Sequence, residues 1–143
     1  MDYLKVLVEE IHSVVVATVD ETGHPHTTVM DMMWEDGKTV YFLTADFKPL
    51  YKRLKEDGRV AVTGMTRGAG TMDRKSISLT GQVKWIGKEH LEELLKANPY
   101  MYEIYPTEEG RSHLQVFRFK NAVGNFYDLT QLPPYQARFE IEG

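Results

Sequence analysis

The sequence predicts a mainly β, α+β fold in which about six or seven antiparallel strands form one domain over residues 1–143, with short helices at its periphery. Three observations carry this reading. The run from Val14 to Thr44 reads strand, turn, strand, turn, strand. Two later segments, Arg59 to Thr66 and Ser76 to Ile86, alternate at period two. The length of 143 residues lets a core form without disulfides or structural metals.

Each element has a local cause. Leu4, Leu7, Val8 and Ile11 fall at i, i+3, i+4 and i+7, so residues 2 to 11 form an amphipathic helix that caps the β structure. Val14, Val15, Val16, Thr18 and Val19 are β-branched and suit a pleated, half-buried strand. Glu21 to Gly23 supply turn chemistry, Thr27 to Trp34 is extended, and Asp36-Gly37 is a hairpin signal before Thr39 to Thr44, so the first three strands read as a meander. Asp46 is placed to cap a helix from Phe47 to Glu56, with Leu50, Tyr51 and Leu54 inward and Asp57-Gly58 at its end. Val60 and Val62 mark the fourth strand, and Ile77, Leu79, Gly81, Val83 and Trp85 mark the fifth. Leu91, Leu94 and Leu95 predict a helix over Lys88 to Ala97, followed after Asn98-Pro99 by a helical piece around Tyr100 to Tyr105. Leu114 to Phe119 and Gly124 to Leu129 read as the last two strands, joined by a tight turn at Lys120 to Val123, with an extended tail after Pro133-Pro134.

Composition narrows the chemistry. With no cysteine, the chain has no disulfide, thiolate nucleophile or cysteine-ligated metal cluster. A net charge of −4 gives no general attraction for nucleic acid, so any anion site is local. No stretch approaches the roughly 20 apolar residues of a membrane span, and Met1 to Lys5 lacks the pattern of a secretory signal, so a cytoplasmic location is expected.

Several groups of residues stand out. Thr44, Lys48, Tyr51, Lys52 and Arg53 bring a hydroxyl and cations to a strand end and the next helix, where a phosphate can be held; the alternative is a solvated basic helix face. Met30, Met32 and Met33 flank Asp31. Methionine packs well on a flat aromatic ligand and equally well as core filler, whereas a carboxylate among apolar neighbours must be paired, neutralised or turned outward. His24-Pro25-His26 is a weak metal pattern and a better turn pattern. Gly68-Ala69-Gly70 opens no helix and reads as a flexible hairpin, and the paired acids read as solvated surface. Tyr100, Tyr102 and Tyr105 with Met101 and Ile104 form a patch suited to a dimer interface.

Ala17 to His26, the Asp36-Gly37 hairpin, Val40 to Thr44, Leu54 to Gly58 and Ser78-Leu-Thr-Gly81 occur in an order and spacing that resemble the pyridoxamine 5'-phosphate oxidase-like family, over about residues 12 to 130. The resemblance implies a split β-barrel that binds FMN and dimerises with flavin at the subunit interface. It places Thr28, Met30, Asp31, Met32 and Met33 along the flavin, Leu43 and Thr44 on the next strand, Lys48 at the phosphate, and Ser78 on the fifth strand. The oxidase pattern is not intact. Thr28, Met33 and Ser78 stand where the oxidase typically has arginine, lysine and glutamine. Its phosphate lysine aligns on Leu50, and its arginine-bearing C-terminal segment has no counterpart in Pro133 to Gly143. The chain looks more like the short bacterial branch that includes NimA-like nitroimidazole reductases.

The expectation is therefore an FMN-dependent oxidoreductase passing electrons from a reduced donor to a small-molecule acceptor. The cofactor would carry the chemistry, and His26 or Tyr51 would be the side chains to assist proton delivery. Two alternatives differ in class. One is a flavin electron carrier serving a ferredoxin-like partner. The other is a barrel that binds heme or another ligand without catalysis, motivated by Thr28 and Leu50 where cations are expected.

Overall fold

A computed structural model describes all 143 residues. Its strands are β1 (Ser13–Val19), β2 (Pro25–Asp31), β3 (Trp34–Glu35), β4 (Val40–Ala45), β5 (Arg59–Met65), β6 (Lys75–Gly87), β7 (Leu114–Asp128) and β8 (Tyr135–Glu142). The helices are α1 (Tyr3–Lys5), α2 (Pro49–Glu56), α3 (Leu91–Ala97), α4 (Met101–Ile104) and α5 (Glu108–Arg111). All strand pairs are antiparallel, in the order β2-β1-β5-β6-β7-β4-β3 with β8 added on β7. The sheet is curled into an open half-barrel, the split-barrel architecture.

Two hydrophobic clusters hold it. Leu7, Val14, Val16, Met32, Phe42, Leu79, Phe117 and Phe126 belong to the larger, inside the curl. Met33, Tyr41, Leu43, Leu94, Met101 and Leu114 belong to the smaller, under α3 and α4. Strand β4 serves both. Its six residues are all buried, with Val40 and Phe42 in one cluster and Tyr41, Leu43 and Ala45 in the other, as a period-two strand between two apolar layers requires.

The expected elements form, with differences in how they join. The opening helix continues from α1 as a π-helical turn over Val6–Ile11, closed by the His12 N–H donating to the Leu7 carbonyl. The wider winding puts Val6 inward beside Leu7 and Ile11 and leaves Leu4 and Val8 half-buried. The first strands are not a meander. β1 pairs with β2 and β5, while β4 lies at the other end of the sheet, between β7 and β3. Lys48, not Asp46, is the N-cap of α2, because Pro49 occupies the first helical position and fixes where the helix starts. Asp46 instead accepts a 2.9 Å hydrogen bond from His113 Nδ1.

The last two predicted strands are one, the 15-residue β7. Gln82 faces Asn121 and Val83 faces Phe119, so Lys120 is an extra residue bulged out of the ladder. A bulge and a turn leave the same local mark, since both interrupt the alternation. The tail after Pro134 is not merely extended but pairs with β7 as β8 from Asp128 back to Asn121, which brings the strands to eight.

Two features of this fold have measurable consequences. A Cβ at Gly81 would meet the Asn121 carbonyl and the Ala122 backbone beside the bulge, so Gly81→Ala should cost about 1–3 kcal/mol by overpacking. The measure is the urea midpoint at unchanged m-value. The Tyr41 hydroxyl donates to Asp36 Oδ2 at 2.7 Å across the β3–β4 hairpin. Burial, reinforced by the Asp36 carboxylate, raises the Tyr41 phenol from 10.0 to about 12. The folded state then keeps a proton that the unfolded chain loses. The resulting stability is whole below pH 10.0 and is lost as pH rises towards about 12. Unfolding free energy should fall through that window in the native chain and fall less in Tyr41→Phe.

Candidate functional site

The sheet has two free ends, and the chain crosses between them once. It leaves β2 at Asp31 and reaches β3 at Trp34, and the two residues between are tied to opposite sides. The Met32 N–H donates to the His12 carbonyl at 2.7 Å beside β1, and the Met33 N–H donates to the Tyr41 carbonyl at 2.9 Å on β4. β2 and β4 therefore share no ladder bonds, and a cleft of about 260 Å³ lies between them. Its walls come from β2, the end of β4, the start of α2 and α4.

The structure brings most of the predicted site residues to this cleft. Thr28, Met30, Asp31 and Met33 line one side, and Leu43, Thr44 and Lys48 the other. Two do not reach it. Met32 is fully buried in the main core, because the chain turns after Asp31 and sends consecutive methionines in different directions. Ser78 lies exposed on the outer face of β6, 3.2 Å from the Thr63 hydroxyl. Met101, Ile104 and Tyr105 also line the cleft. Of the tyrosine patch, Met101 is buried while Tyr102 and Ile104 stay exposed.

The predicted basic cluster separates. Arg53 Nε donates to Thr18 Oγ1 at 2.8 Å on β1, Tyr51 packs edge-on against Trp85 and Phe117, and Lys52 is solvated. Lys48 remains at the cleft and forms no ion pair within the chain. A mostly apolar slot with one free cation at its end suits a flat ring that carries an anionic tail. At about 260 Å³ it is smaller than the ~300–1,000 Å³ of typical small-molecule sites, so one chain encloses only part of a flavin-sized ligand.

Asp31 is paired rather than turned out. Its Oδ1 accepts from Ser13 Oγ at 2.7 Å and its Oδ2 from the Tyr100 hydroxyl at 2.6 Å. Tyr100 is in turn 2.9 Å from His12 Nε2. Burial first, and then the Asp31 carboxylate, push the Tyr100 phenol well above its ordinary value. The sequence pattern puts Tyr100 in a surface patch and gives His12 no role; their separation of 88 residues carries no local signal. The one clue is His12 itself, the end of an apolar helix pattern running directly into a strand with no glycine to turn it, which leaves its φ at +63°.

The remaining histidines are otherwise engaged. His26 Nε2, at the start of β2, sits 2.8 Å from Asp20 Oδ2, and His24 Nδ1 sits 2.8 Å from Thr22 Oγ1 in the β1–β2 turn. The His26 contact foremost, then the Thr22 hydroxyl and the His24 N–H on Asp20 Oδ1, hold the Asp20 carboxyl far below its usual range. Neither His26 nor Tyr51 lines the cleft. No cluster of three or more His, Asp or Glu side chains is placed to hold a metal, and no helix is long and apolar enough to cross a membrane.

Two rows of the outer face of the sheet are free of charge over five strands, between Asp31 on one side and Arg59 on the other. Val29, Val15, Thr63, Ser78 and Asn125 form one row across the ladder, and Thr27, Ala17, Ala61, Thr80 and Val123 form the next. Val29 belongs both to this face, where it is 72% exposed, and to the cleft.

The sequence matches the pyridoxamine 5'-phosphate oxidase family over residues 2–127, and the chain belongs to that family. No match was found among curated proteins. Among solved structures, a NimC/NimA family protein from Clostridium acetobutylicum superposes with a TM-score of 0.76 at 20% identity, covering 98% of this chain and 95% of the other. A heme-binding protein from Mycobacterium smegmatis gives 0.71 at 12% identity over 95% of this chain and 56% of its own. A pyridoxamine 5'-phosphate oxidase-related, FMN-binding protein from Nostoc punctiforme gives 0.60 at 11% identity, covering 92% and 87%. These likenesses establish the split-barrel fold.

Proposed function

We propose that the chain is an FMN-binding oxidoreductase that passes electrons from a reduced donor to a small-molecule acceptor, and that it works as a homodimer in the cytoplasm. The observation that carries the reading is the cleft between β2 and β4, where an apolar slot meets one uncommitted lysine. In it the ring would lie between Met30 and Met33 on one side and Leu43 on the other. Thr44 and Lys48 would hold the phosphate, and the unpaired outer edge of β2 would offer backbone groups to the ring's polar rim. FMN, when bound, supplies the redox chemistry; the protein orients it, excludes water and tunes it through hydrogen bonds. Family membership and the FMN-binding Nostoc neighbour support the choice of cofactor.

The two uncharged rows of the outer face support the dimer. They are contiguous with the cleft through Val29, so a second copy laid on them would close the open side of the slot and carry its own Ser78 towards the ligand. No histidine lines the cleft, so a heme such as the Mycobacterium smegmatis neighbour binds would need a methionine or Tyr105 as its ligand from this chain.

The visible spectrum of the purified protein after incubation with FMN and removal of the excess tests the reading. Flavin bands retained at about one per chain are expected. A Soret band, or a colourless protein, sinks the cofactor assignment. Lys48→Ala should weaken FMN binding by about 1.5–3 kcal/mol, the loss of one charge-assisted contact, measured by fluorescence titration. Ala61→Glu, which puts a charge on the outer face away from the cleft, should give a monomer that no longer retains flavin on gel filtration; a monomer that stays yellow contradicts the shared site.

A further inference from the structure

The His12–Tyr100–Asp31 line has a proton count that can be worked out. His12 Nδ1 is 2.9 Å from the Val8 carbonyl, which only accepts, so Nδ1 carries a hydrogen. Two further bonds then run in series, His12 Nε2 to Tyr100 Oη at 2.9 Å and Tyr100 Oη to Asp31 Oδ2 at 2.6 Å, and each needs one proton between its heavy atoms. Tyr100 owns one proton and cannot fill both. The second proton sits either on His12 Nε2, giving imidazolium beside carboxylate, or on Asp31, giving imidazole beside carboxylic acid. Both arrangements hold the same number of protons, one more than neutral imidazole, phenol and carboxylate together. They differ only by the concerted shift of two hydrogens along the line.

We infer that His12, Tyr100 and Asp31 form a one-proton relay that supplies the cleft. Asp31 is its inner end, since it lines the cleft. His12 is its other end; the two side chains are about equally exposed, 30% for His12 and 29% for Asp31, so the place of Asp31 on the cleft alone sets the direction. Few other groups touch the line. The π turn contributes the Val8 carbonyl and β1 the Ser13 hydroxyl on Asp31 Oδ1, and the only ion pair His12 makes is with Asp31, at 3.5 Å. The geometry is held at some strain, for His12 sits at positive φ where the π turn meets β1.

The relay rests on the proposed function for its task. A bound acceptor that takes a hydride from the reduced cofactor becomes an anion and needs one proton. From the imidazolium–carboxylate arrangement the His12 Nε2 proton moves to Tyr100 and the Tyr100 proton to Asp31, and Asp31 then gives that one proton to the acceptor, leaving imidazole, phenol and carboxylate. The O–H and N–H bonds broken equal those formed, and the neutral imidazole left behind takes a proton from water.

The test begins with the ligand-free protein, so it is independent of flavin. In ¹⁵N-histidine, ¹³C-aspartate NMR, the His12 ring and the Asp31 carboxyl should shift together through a common titration, because they share the proton. In Tyr100→Phe, which keeps the ring and removes the bridging hydroxyl, only the direct 3.5 Å His12–Asp31 contact remains, so the coupling between the two should fall measurably. Separate titrations in the native chain, or identical behaviour in Tyr100→Phe, overturn the relay. In the FMN-loaded protein, turnover with a nitroaromatic acceptor should fall at least tenfold in both Tyr100→Phe and His12→Asn, the latter a residue that tolerates positive φ, and the solvent isotope effect of the native chain should be lost. Unchanged turnover and isotope effect in both variants also overturn it. Failure of the native chain to bind FMN would sink the proposed function and leave the NMR result standing by itself.

Discussion

Two consecutive backbone N–H groups decide the shape of this molecule. Met32 donates to the β1 side and Met33 to β4, and adjacent residues bound to opposite ends of a sheet leave those ends unable to bond to each other. A buried N–H without an acceptor costs about 1–3 kcal/mol, so the crossing is held by bonds that are costly to lose. The Asn98 side chain fixes it from the other side. Its Nδ2 donates to the Met33 and Leu94 carbonyls, both at 2.8 Å, which joins the crossing to α3 while Asn98 itself is 6% exposed. What results is a barrel with a seam that is open by construction.

The two hydrophobic clusters follow from that seam. A closed barrel has one interior, whereas here β4 has been carried to the far end of the sheet and its back must be covered by something else. The helices α3 and α4 do this, and the six buried residues of β4 record the outcome. The cleft then has one wall from a strand edge and the other from a strand end and helices. No backbone bonds run between its walls, so what it holds is set by the side chains at its rim: Lys48 at one point, Asp31 at another.

The elements were legible in the sequence because their causes are local. Period-two runs of valine, isoleucine, leucine and tryptophan place β1, β5 and β6, and Asp36-Gly37 places the β3–β4 hairpin, within a residue or two. Partner choice was not legible, since nothing between Val14 and Thr44 says that the third predicted strand will pair with Phe117 instead of its predecessor. The bulge at Lys120 and the cap at Lys48 failed for a related reason. In each case a correct local signal, broken alternation or an Asp before a helix, had a competing explanation within two residues. Of the predicted site residues, those near one another in the chain come together at the cleft, Thr28, Met30, Asp31 and Met33 with Leu43, Thr44 and Lys48. Met32, which the resemblance placed with them, lies in the core because the chain turns after Asp31.

Tyr100 and His12 show where such reading stops. Both sit at ends of helices whose apolar patterns are plain, and neither end has a cap that would announce a second duty. They meet because α4 must cover the exposed back of β4, which brings the turn before it down onto the end of β2, where Asp31 already needs partners. A carboxylate placed at the lip of an apolar slot is stable only with donors on both oxygens, and Ser13 and Tyr100 are what the fold has within reach. The same crossing that opens the cleft therefore also dictates what stands at its edge. A pairing scheme that closed the barrel would leave no cleft for Asp31 to face, and no bare β4 to draw Tyr100 towards it.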